Sequence, residues 1–346
     1  MQEAENAFAL AMVNDGCIDE RDLSVILEQK IQVIRKTGIL DYINTNIQIS
    51  DVGGLENLKN WLNKRNNSWS ESAKKYCLPA PKGVLITGVP GCGKSLTAKA
   101  MSAAWQLPLL KLDFGKIFSG IVGSSEENMR KAIKTAEAVS PSILWVDEIE
   151  KSLSGLNSNG DSGTSSRIFG TFLTWMQEKT APVFVIATAN NIEGLPPELL
   201  RKGRFDEIFF VDLPTKKERI EIFKLHLSKR LKDKEVASKL ELNDELFEKL
   251  ADLTEGFVGA EIEQAVISAL YEAFFQKKPL EFQDLENVIK TIVPLTKTQK
   301  EKILQLRQWA NIRAVTATKR DDMEQYNLGD DNKDINGSRG GRALDV

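Results

Sequence analysis

Gly88-Val89-Pro90-Gly91-Cys92-Gly93-Lys94-Ser95 has the spacing G-x-x-x-x-G-K-[ST], a glycine-rich loop closed by a lysine and a hydroxyl. Eight residues can match by chance, so the flanks decide the reading. Val84-Leu85-Ile86 before it reads as an apolar strand, and residues 94–105 after it read as a helix. Phosphate binding needs that order. The glycines let the backbone curl until successive N–H groups point inward at β-phosphate oxygens, and the helix N-terminus adds its dipole. In this P-loop Lys94 would reach the β- and γ-phosphates and Ser95 would ligate Mg²⁺. The plain alternative is a glycine turn with no ligand.

Outward from the loop, short apolar segments alternate with periodic helices from about residue 47 to 290. The strands expected are 82–87, 109–114, 142–146, 182–187 and 207–212. Between the second and third, Ser124-x-x-Glu127 opens a helix as a capping box, with Met129, Ala132, Ile133 and Ala136 on one face. Such alternation predicts a mainly parallel α/β sheet covered on both sides. After Pro214 the strand patterns stop and at least three amphipathic helices follow. The expected organisation is an N-terminal helical extension (1–46), an α/β nucleotide unit (47–213), a helical lid (214–290) and a C-terminal helix to about Trp309 ending in a disordered tail (291–346). In the extension, Asp19 reads as an N-cap, followed by Leu23, Ile26, Leu27, Ile31 and Ile34 at helical spacing. Asp15-Gly16 has the look of a calcium loop, but Ala11 and Val13 would fall where oxygen ligands are required, so calcium is rejected.

Composition narrows the chemistry. The 346 residues carry 46 Lys+Arg against 49 Asp+Glu, a net charge of −3. That balance disfavours, without excluding, a nucleic-acid partner bound through a chain-wide basic surface. No apolar run approaches the ~18 residues of a bilayer span, and the acids near the N-terminus do not resemble a signal or transit peptide. Cys17, Cys77 and Cys92 lie far apart, in no metal-ligand spacing, which fits a reducing compartment. One histidine, His226, leaves little room for a histidine metal site or a Ser-His-Asp triad. A soluble intracellular α/β protein is expected.

Three further stretches carry chemistry. Ile143-Leu144-Trp145-Val146-Asp147-Glu148 is a buried strand pattern ending in two acids, which would stand beside the P-loop. Asp147 would hold Mg²⁺ and Glu148 would activate the attacking water; an Asp-Glu pair can also be a simple helix cap. Ala187-Thr188-Ala189-Asn190 ends another strand, so Asn190 could bond the γ-phosphate or the water, or be an ordinary turn residue. In Leu200-Arg201-Lys202-Gly203-Arg204-Phe205-Asp206, Arg201 and Arg204 suit a rigid fork aimed at phosphate, or a solvated basic turn.

Taken together, these segments resemble the AAA ATPases of the valosin-containing-protein and spastin type. The resemblance includes ISDVGGLENLK (49–59), where Asp51 and Gly53 match residues that contact adenine in that family. GVPGCGKS (88–95) and ILWVDEIE (143–150) match its Walker A and Walker B motifs, which brings Gly88, Pro90, Gly91, Cys92, Gly93, Lys94, Ser95 and Leu96 to the nucleotide. ATANNIEGLPPELLRKGRFDE (187–207) matches sensor 1, Asn190, and the arginine fingers, Arg201 and Arg204. In RIEIFKLHLSKR (219–230) His226 falls near the ribose, and in GFVGAEIEQAV (256–266) Gly259 and Ala260 match the sensor 2 region. The resemblance implies a P-loop AAA+ nucleotide domain with a helical lid, using ATP and Mg²⁺. It also implies a homo-oligomeric, hexameric ring in which fingers act on a neighbour's ATP, and a protein client of unknown identity. EAENAFALAMVNDG (3–16) and LEQKIQVIRKTGILDYI (27–43) further resemble the AAA family encoded in algal chloroplast genomes and in cyanobacteria. That implies the chloroplast stroma or cyanobacterial cytoplasm. Longer members have a further N-terminal domain, so a shortened member or fragment is expected.

Some positions depart from the family. Its protein-threading members grip substrate with an aromatic pore residue; here Ile121 stands there, in Phe118-Ser119-Gly120-Ile121-Val122-Gly123, and Phe118 is expected in the core. The second pore region, 154–166, is rich in glycine and serine. These leave open a nucleotide-gated scaffold with little turnover. The basic stretch 297–320 is the best support for a DNA-associated motor or loader. Cys92 could be a redox switch or merely a small residue, and Trp61, Trp69 and Trp175 could form a partner surface or pack.

Overall fold

Val84, Leu85 and Ile86 occupy the middle of a seven-stranded sheet, and their alternation divides the core. Val84 and Ile86 pack on one face with Phe184, Ile186 and Phe209; Leu85 packs on the other with Leu144, Val185 and Phe210. The computed structural model describes residues 31, 32, 34, 35, 38–45, 47–118, 124–153, 162–201, 203–319 and 342. Most of the expected N-terminal helix, including Asp19, Leu23, Ile26 and Leu27, lies outside the described residues. So do the Asp15-Gly16 turn, Ile121 and its neighbours 119–123, residues 154–161, and the tail from 320 apart from Arg342. Ile31 and Ile34 are in helical backbone, and Ile34 is fully buried.

The described chain runs β1 (Leu40–Ile43), α1 (Glu56–Asn63), α2 (Glu71–Lys75), β2 (Gly83–Gly88), α3 (Lys94–Trp105), β3 (Leu109–Leu112), α4 (Phe114–Phe118) and α5 (Ser124–Ala138). It continues through β4 (Ser142–Val146), α6 (Ile149–Leu153), α7 (Ser162–Glu178), β5 (Val183–Ala189) and β6 (Glu207–Val211). Then come α8 (Lys216–Arg230), α9 (Asp244–Leu253), α10 (Gly259–Phe275), α11 (Phe282–Thr291), α12 (Leu295–Thr298), α13 (Lys300–Arg313) and β7 (Val315–Thr316). The sheet order is β1-β3-β4-β5-β2-β6-β7, parallel except for β1 against β3. The loops after β2, β4 and β5 therefore leave the same, C-terminal edge, where ligands of parallel sheets bind. Met129, Ala132, Ile133 and Ala136 of α5 are buried, as their spacing predicts.

The five expected strands all form, their ends lying close to the expected bounds. Phe114 belongs to α4 and not to β3, because Asp113 accepts from the Gly115 N–H (2.8 Å) and turns the chain into a helix. The sheet edges differ more. The segment before residue 47, read as helices and a linker, ends in β1, which pairs Leu40 with Leu112 and Ile43 with Leu109. It covers what would be an open edge, and Lys116 of α4 binds both Asp41 oxygens at 2.6 and 2.7 Å.

The C-terminal segment is the second correction. The helix runs past Trp309 to Arg313, and the next residues are not a loose tail: Ala314 to Thr318 are buried, with Val315 paired to Phe209. The Ala317 carbonyl accepts from the N–H groups of Asn57 and Leu58 (3.0 and 3.3 Å), satisfying donors that the start of α1 leaves open. Arg307 of α13, part of the basic stretch proposed to face DNA, turns inward onto Asp212. Three bonds of 2.9–3.1 Å join them, with side chains only 7% and 3% exposed.

Helices α8 to α11 gather around a separate core that includes Phe223, Phe247, Ile262 and Leu285. Thr215 caps α8 in a reciprocal pair with Glu218, with bonds of 3.0 and 2.8 Å. The tryptophans pack. Trp61 meets Phe209 edge-on, Trp69 meets Trp105, and the Trp175 indole donates to Glu137 (2.8 Å). Phe118 likewise packs against the main core. No helix among the described residues is long and apolar enough to cross a membrane.

Candidate functional site

At the C-terminal edge of β2 the chain turns at Gly88, whose φ is +139°; a Cβ there would run into the Val211 carbonyl oxygen. Gly93, at φ +86°, leads into α3 in a left-handed conformation that a side chain would strain. Lys94 is buried, and its ammonium donates to the carbonyls of Gly88 (2.9 Å) and Val89 (2.7 Å). Burial draws its pKa down to about 8, against the opposing pull of Glu150, Asp147 and Glu148.

β4 and β5 deliver the oxygens. The Ser95 hydroxyl donates to Asp147 Oδ1 (2.8 Å), so the first residue after the P-loop lysine meets the acid that follows β4. Thr188 donates to the same oxygen (2.7 Å) and accepts from the Glu148 N–H (3.0 Å). Glu148 sits at φ +50°, a conformation unusual for a side-chain-bearing residue. Its Oε1 accepts from the Asn190 amide (2.9 Å), and its Oε2 pairs with Lys151 (2.6 Å). The Asn190 N–H is held by Glu150 Oε1 (2.9 Å). Both the backbone and the side-chain amide of Asn190 are thus bonded to acids that follow β4.

A cavity of about 470 Å³ opens in front of these groups, within the range of small-molecule sites. Asp51, Gly53, residues 90–96, Glu148, Asn190, His226, Gly259 and Ala260 all line it. The helical unit closes its roof: Ala260 N–H donates to the Gly91 carbonyl (3.0 Å), and a Cβ on Gly53 would press on Ile222 of α8. Gly54 N–H donates to Glu221 (2.8 Å), and Leu55 N–H to Glu218 (3.2 Å). The Asp51 carboxylate is engaged by the Gln48 N–H (2.7 Å). Arg230 donates to His226 Nδ1 (2.9 Å), which leaves Nε2 to carry the ring proton. Burial lowers the His226 pKa, with Glu263 opposing, so the ring is neutral at pH 7.

Cys92 keeps some exposed surface, but desolvation dominates and pushes its thiol up to about 12. A protonated thiol is a poor nucleophile, which weighs for the small-residue reading and against a redox switch. Arg201 and Arg204 do not line the cavity. Arg201 is exposed, and one terminal nitrogen of Arg204 is buried with no hydrogen-bond partner among the described residues.

The residues present fit a nucleoside triphosphate with a divalent cation. A glycine cradle and a buried ammonium suit phosphate oxygens, while Ser95 and Asp147 offer hard oxygens side by side. Three contributors escaped the motif reading: Thr188, Glu150 and Glu218. Thr188 was in plain view, since a strand period of two puts it on the same side as Asn190. Thr215-x-x-Glu218 has the spacing of a capping box, which marks Glu218 locally, but no local pattern ties Glu150 to the Asn190 N–H or Glu218 to the Leu55 N–H.

Residues 84–213 match the family model for ATPases associated with various cellular activities (AAA), and 244–288 match the AAA+ lid domain. Residues 1–37 match the second domain of SpoVK-like AAA ATPases. The chain is 51% identical, over 293 residues, to the uncharacterized AAA domain-containing protein ycf46 of Pyropia yezoensis, covering 85% of this chain and 58% of that protein. It is 49% identical to the ycf46 protein of Trieres chinensis, again over 85% of this chain and 58% of that one. It thus spans under two thirds of the length of these relatives. The Cdc48 homologue of Archaeoglobus fulgidus is 34% identical over 63% of this chain and 29% of its own length. Among solved structures, the AAA domain of FIGL-1 superposes with a TM-score of 0.64, at 21% identity, over 83% of this chain and 96% of that one, a likeness of fold. Sequence, fold and the arrangement of the site agree, and the chain belongs to the AAA ATPase family.

Proposed function

We propose that this protein hydrolyses ATP in a hexameric ring and uses the cycle to remodel or regulate a protein partner. The observation that carries the reading is the linked set Ser95–Asp147–Thr188 and Glu148–Asn190, which converges on one cavity beneath the lid. Lys94 binds the β- and γ-phosphates, releasing its two carbonyl contacts as it does so. Ser95 and Asp147 hold Mg²⁺, which when bound supplies positive charge against the phosphate oxygens. Glu148 takes a proton from the attacking water, and Asn190, already bonded to Glu148, fixes the carboxylate's direction. Neutral His226 offers its Nε2 proton to the ribose, while Asp51, Gly53, Gly259 and Ala260 border the base.

Arg201 and Arg204, outside their own subunit's cavity, act on the neighbour's γ-phosphate; such fingers are worth about 10³–10⁵ in rate. The unpartnered nitrogen of Arg204 supports a role completed by another chain. The proposed division is 47–213 and 214–290 for the two halves of the ATPase, with 1–46 and 291–346 as extensions. Likeness to the ycf46 proteins supports work in a photosynthetic cell, in the chloroplast stroma or the cyanobacterial cytoplasm. With Arg307 committed to Asp212, support for a DNA-associated motor is reduced. Glu148→Gln tests the mechanism: ATP binding should persist while steady-state hydrolysis falls at least 100-fold, and unchanged hydrolysis would refute the assignment.

A further inference from the structure

The loop between Leu199 and Phe205 carries Arg201 and Arg204, yet its described residues form no helix or strand to hold them. Leu199 and Phe205 are anchored in the core at either end. Between the two arginines the chain turns at Gly203, whose φ of +94° is left-handed and whose missing Cβ faces open space, so conformation and not packing calls for glycine. What holds that turn comes from another element. The ammonium of Lys82, immediately before β2, donates to the Gly203 carbonyl at 2.7 Å and to the Gln177 carbonyl in the last turn of α7 at 2.7 Å.

The same place is tied a second way. The backbone N–H groups of Lys82 and Gly83 both donate to Asp206 Oδ2 (2.7 and 3.0 Å), and the Asp206 N–H returns a bond to the Gly83 carbonyl (2.8 Å). The strand that ends in the P-loop thus begins in a brace on the arginine loop. The Lys82 charge suits the carbonyl end of α7, and a bond to an ammonium is about twice as strong as one between neutral groups.

We propose that Lys82 is a positioning residue for the arginine pair, its ammonium fixing the Gly203 turn so that Arg201 and Arg204 present a set geometry to the neighbouring subunit. This rests on the ring reading above. Lys82 lies at the start of β2, away from the cavity that the end of β2 borders, so its removal should spare nucleotide binding in its own subunit. It should damage hydrolysis in the next one. Misplacing a catalytic group by about 1 Å costs on the order of 100-fold in rate, so a loss of about 10- to 100-fold is expected.

The experiment uses the full chain at concentrations where turnover is measurable. Lys82→Met should lower ATP turnover about 10- to 100-fold while binding of a fluorescent ADP analogue stays within about twofold of the unsubstituted protein. Lys82→Arg, which keeps charge and donors, should restore most of the turnover. Mixing is the decisive arm. Glu148→Gln subunits have intact fingers and a disabled site, and Lys82→Met subunits have the reverse, so a mixture should exceed the sum of the two alone. Arg204→Ala mixed with Glu148→Gln is the control. If that control recovers activity and the Lys82→Met mixture does not, the inference fails; if neither recovers, the ring reading itself fails. Unchanged turnover in Lys82→Met, or lost ADP-analogue binding, also overturns it. Should Lys82→Met not fold, Lys82→Gln, too short to span both carbonyls, is read by the same criteria.

Discussion

Replacing Arg307 by Met tests whether the C-terminal segment belongs to the structural heart of the ATPase. The guanidinium gives Asp212 three bonds of 2.9–3.1 Å in a setting where the two side chains are 7% and 3% exposed. Asp212 follows β6, precedes the helical unit and lines the nucleotide cavity; besides Arg307 it accepts from the Leu213 N–H at 2.8 Å. Methionine has a comparable length and fills much of the space, so the dominant cost is the loss of three charge-assisted bonds to a buried carboxylate. Breaking a buried pair from one side costs about 3–5 kcal/mol. At about 2–4 °C per kcal/mol for domains of this size, melting should fall by about 6–20 °C. Circular dichroism melts of the full chain measure this, with Arg307→Met/Asp212→Leu as the second arm. That double substitution removes both charges and should recover more than half of the lost stability, because the single change leaves the buried carboxylate without its three bonds to the guanidinium. A single substitution within about 0.5 kcal/mol of the parent would place Arg307 among solvated surface residues. That result, or a double variant no better than the single one, would refute the reasoning and reopen the basic stretch as a nucleic-acid surface.

Two further outcomes are expected at the site. Thr188→Val keeps the shape but removes a donor to Asp147 and an acceptor for the Glu148 backbone N–H; losing the bond to the carboxylate, at about 1.5–3 kcal/mol, should cost about 10- to 100-fold in kcat/KM, measured across a Mg²⁺ titration. A change under twofold would remove Thr188 from the account. Because burial pushes the Cys92 thiol up to about 12, it stays protonated at pH 8, and only far above that would rising pH expose the thiolate. Iodoacetamide at pH 8 should therefore label exposed Cys77 and spare Cys92, as read by peptide mass; equal labelling would contradict the assignment.

Much of this was legible in the sequence, and what was not has a common cause. β2, β4 and β5 are short apolar runs buried on both faces, and the candidate residues Lys94, Asp147 and Asn190 stand shortly after their ends, so pattern and motif point the same way. The sheet edges carry no such signal. Leu40-Asp41-Tyr42-Ile43 continues a helical pattern and becomes a strand only because β3 offers an unpaired edge. Val315 and Thr316 are two residues long, too few for any period, and are placed by β6 and by the open N–H groups of α1. Sequence marks Arg307 only by its charge, whereas its environment is set by Asp212, 95 positions away. Glu218 shows the same limit: its carboxylate serves the Leu55 and Thr215 N–H groups and the Thr318 hydroxyl, so one side chain joins three segments that sequence keeps apart.

The central claim is that ATP is hydrolysed between subunits, one contributing Glu148 and the next Arg201 and Arg204. Steady-state ATP turnover per subunit, measured over a hundredfold range of protein concentration, tests this most directly. Turnover per subunit should rise steeply as rings form and then level off. Turnover per subunit that is substantial and independent of concentration, from protein that remains monomeric throughout the range, would contradict it.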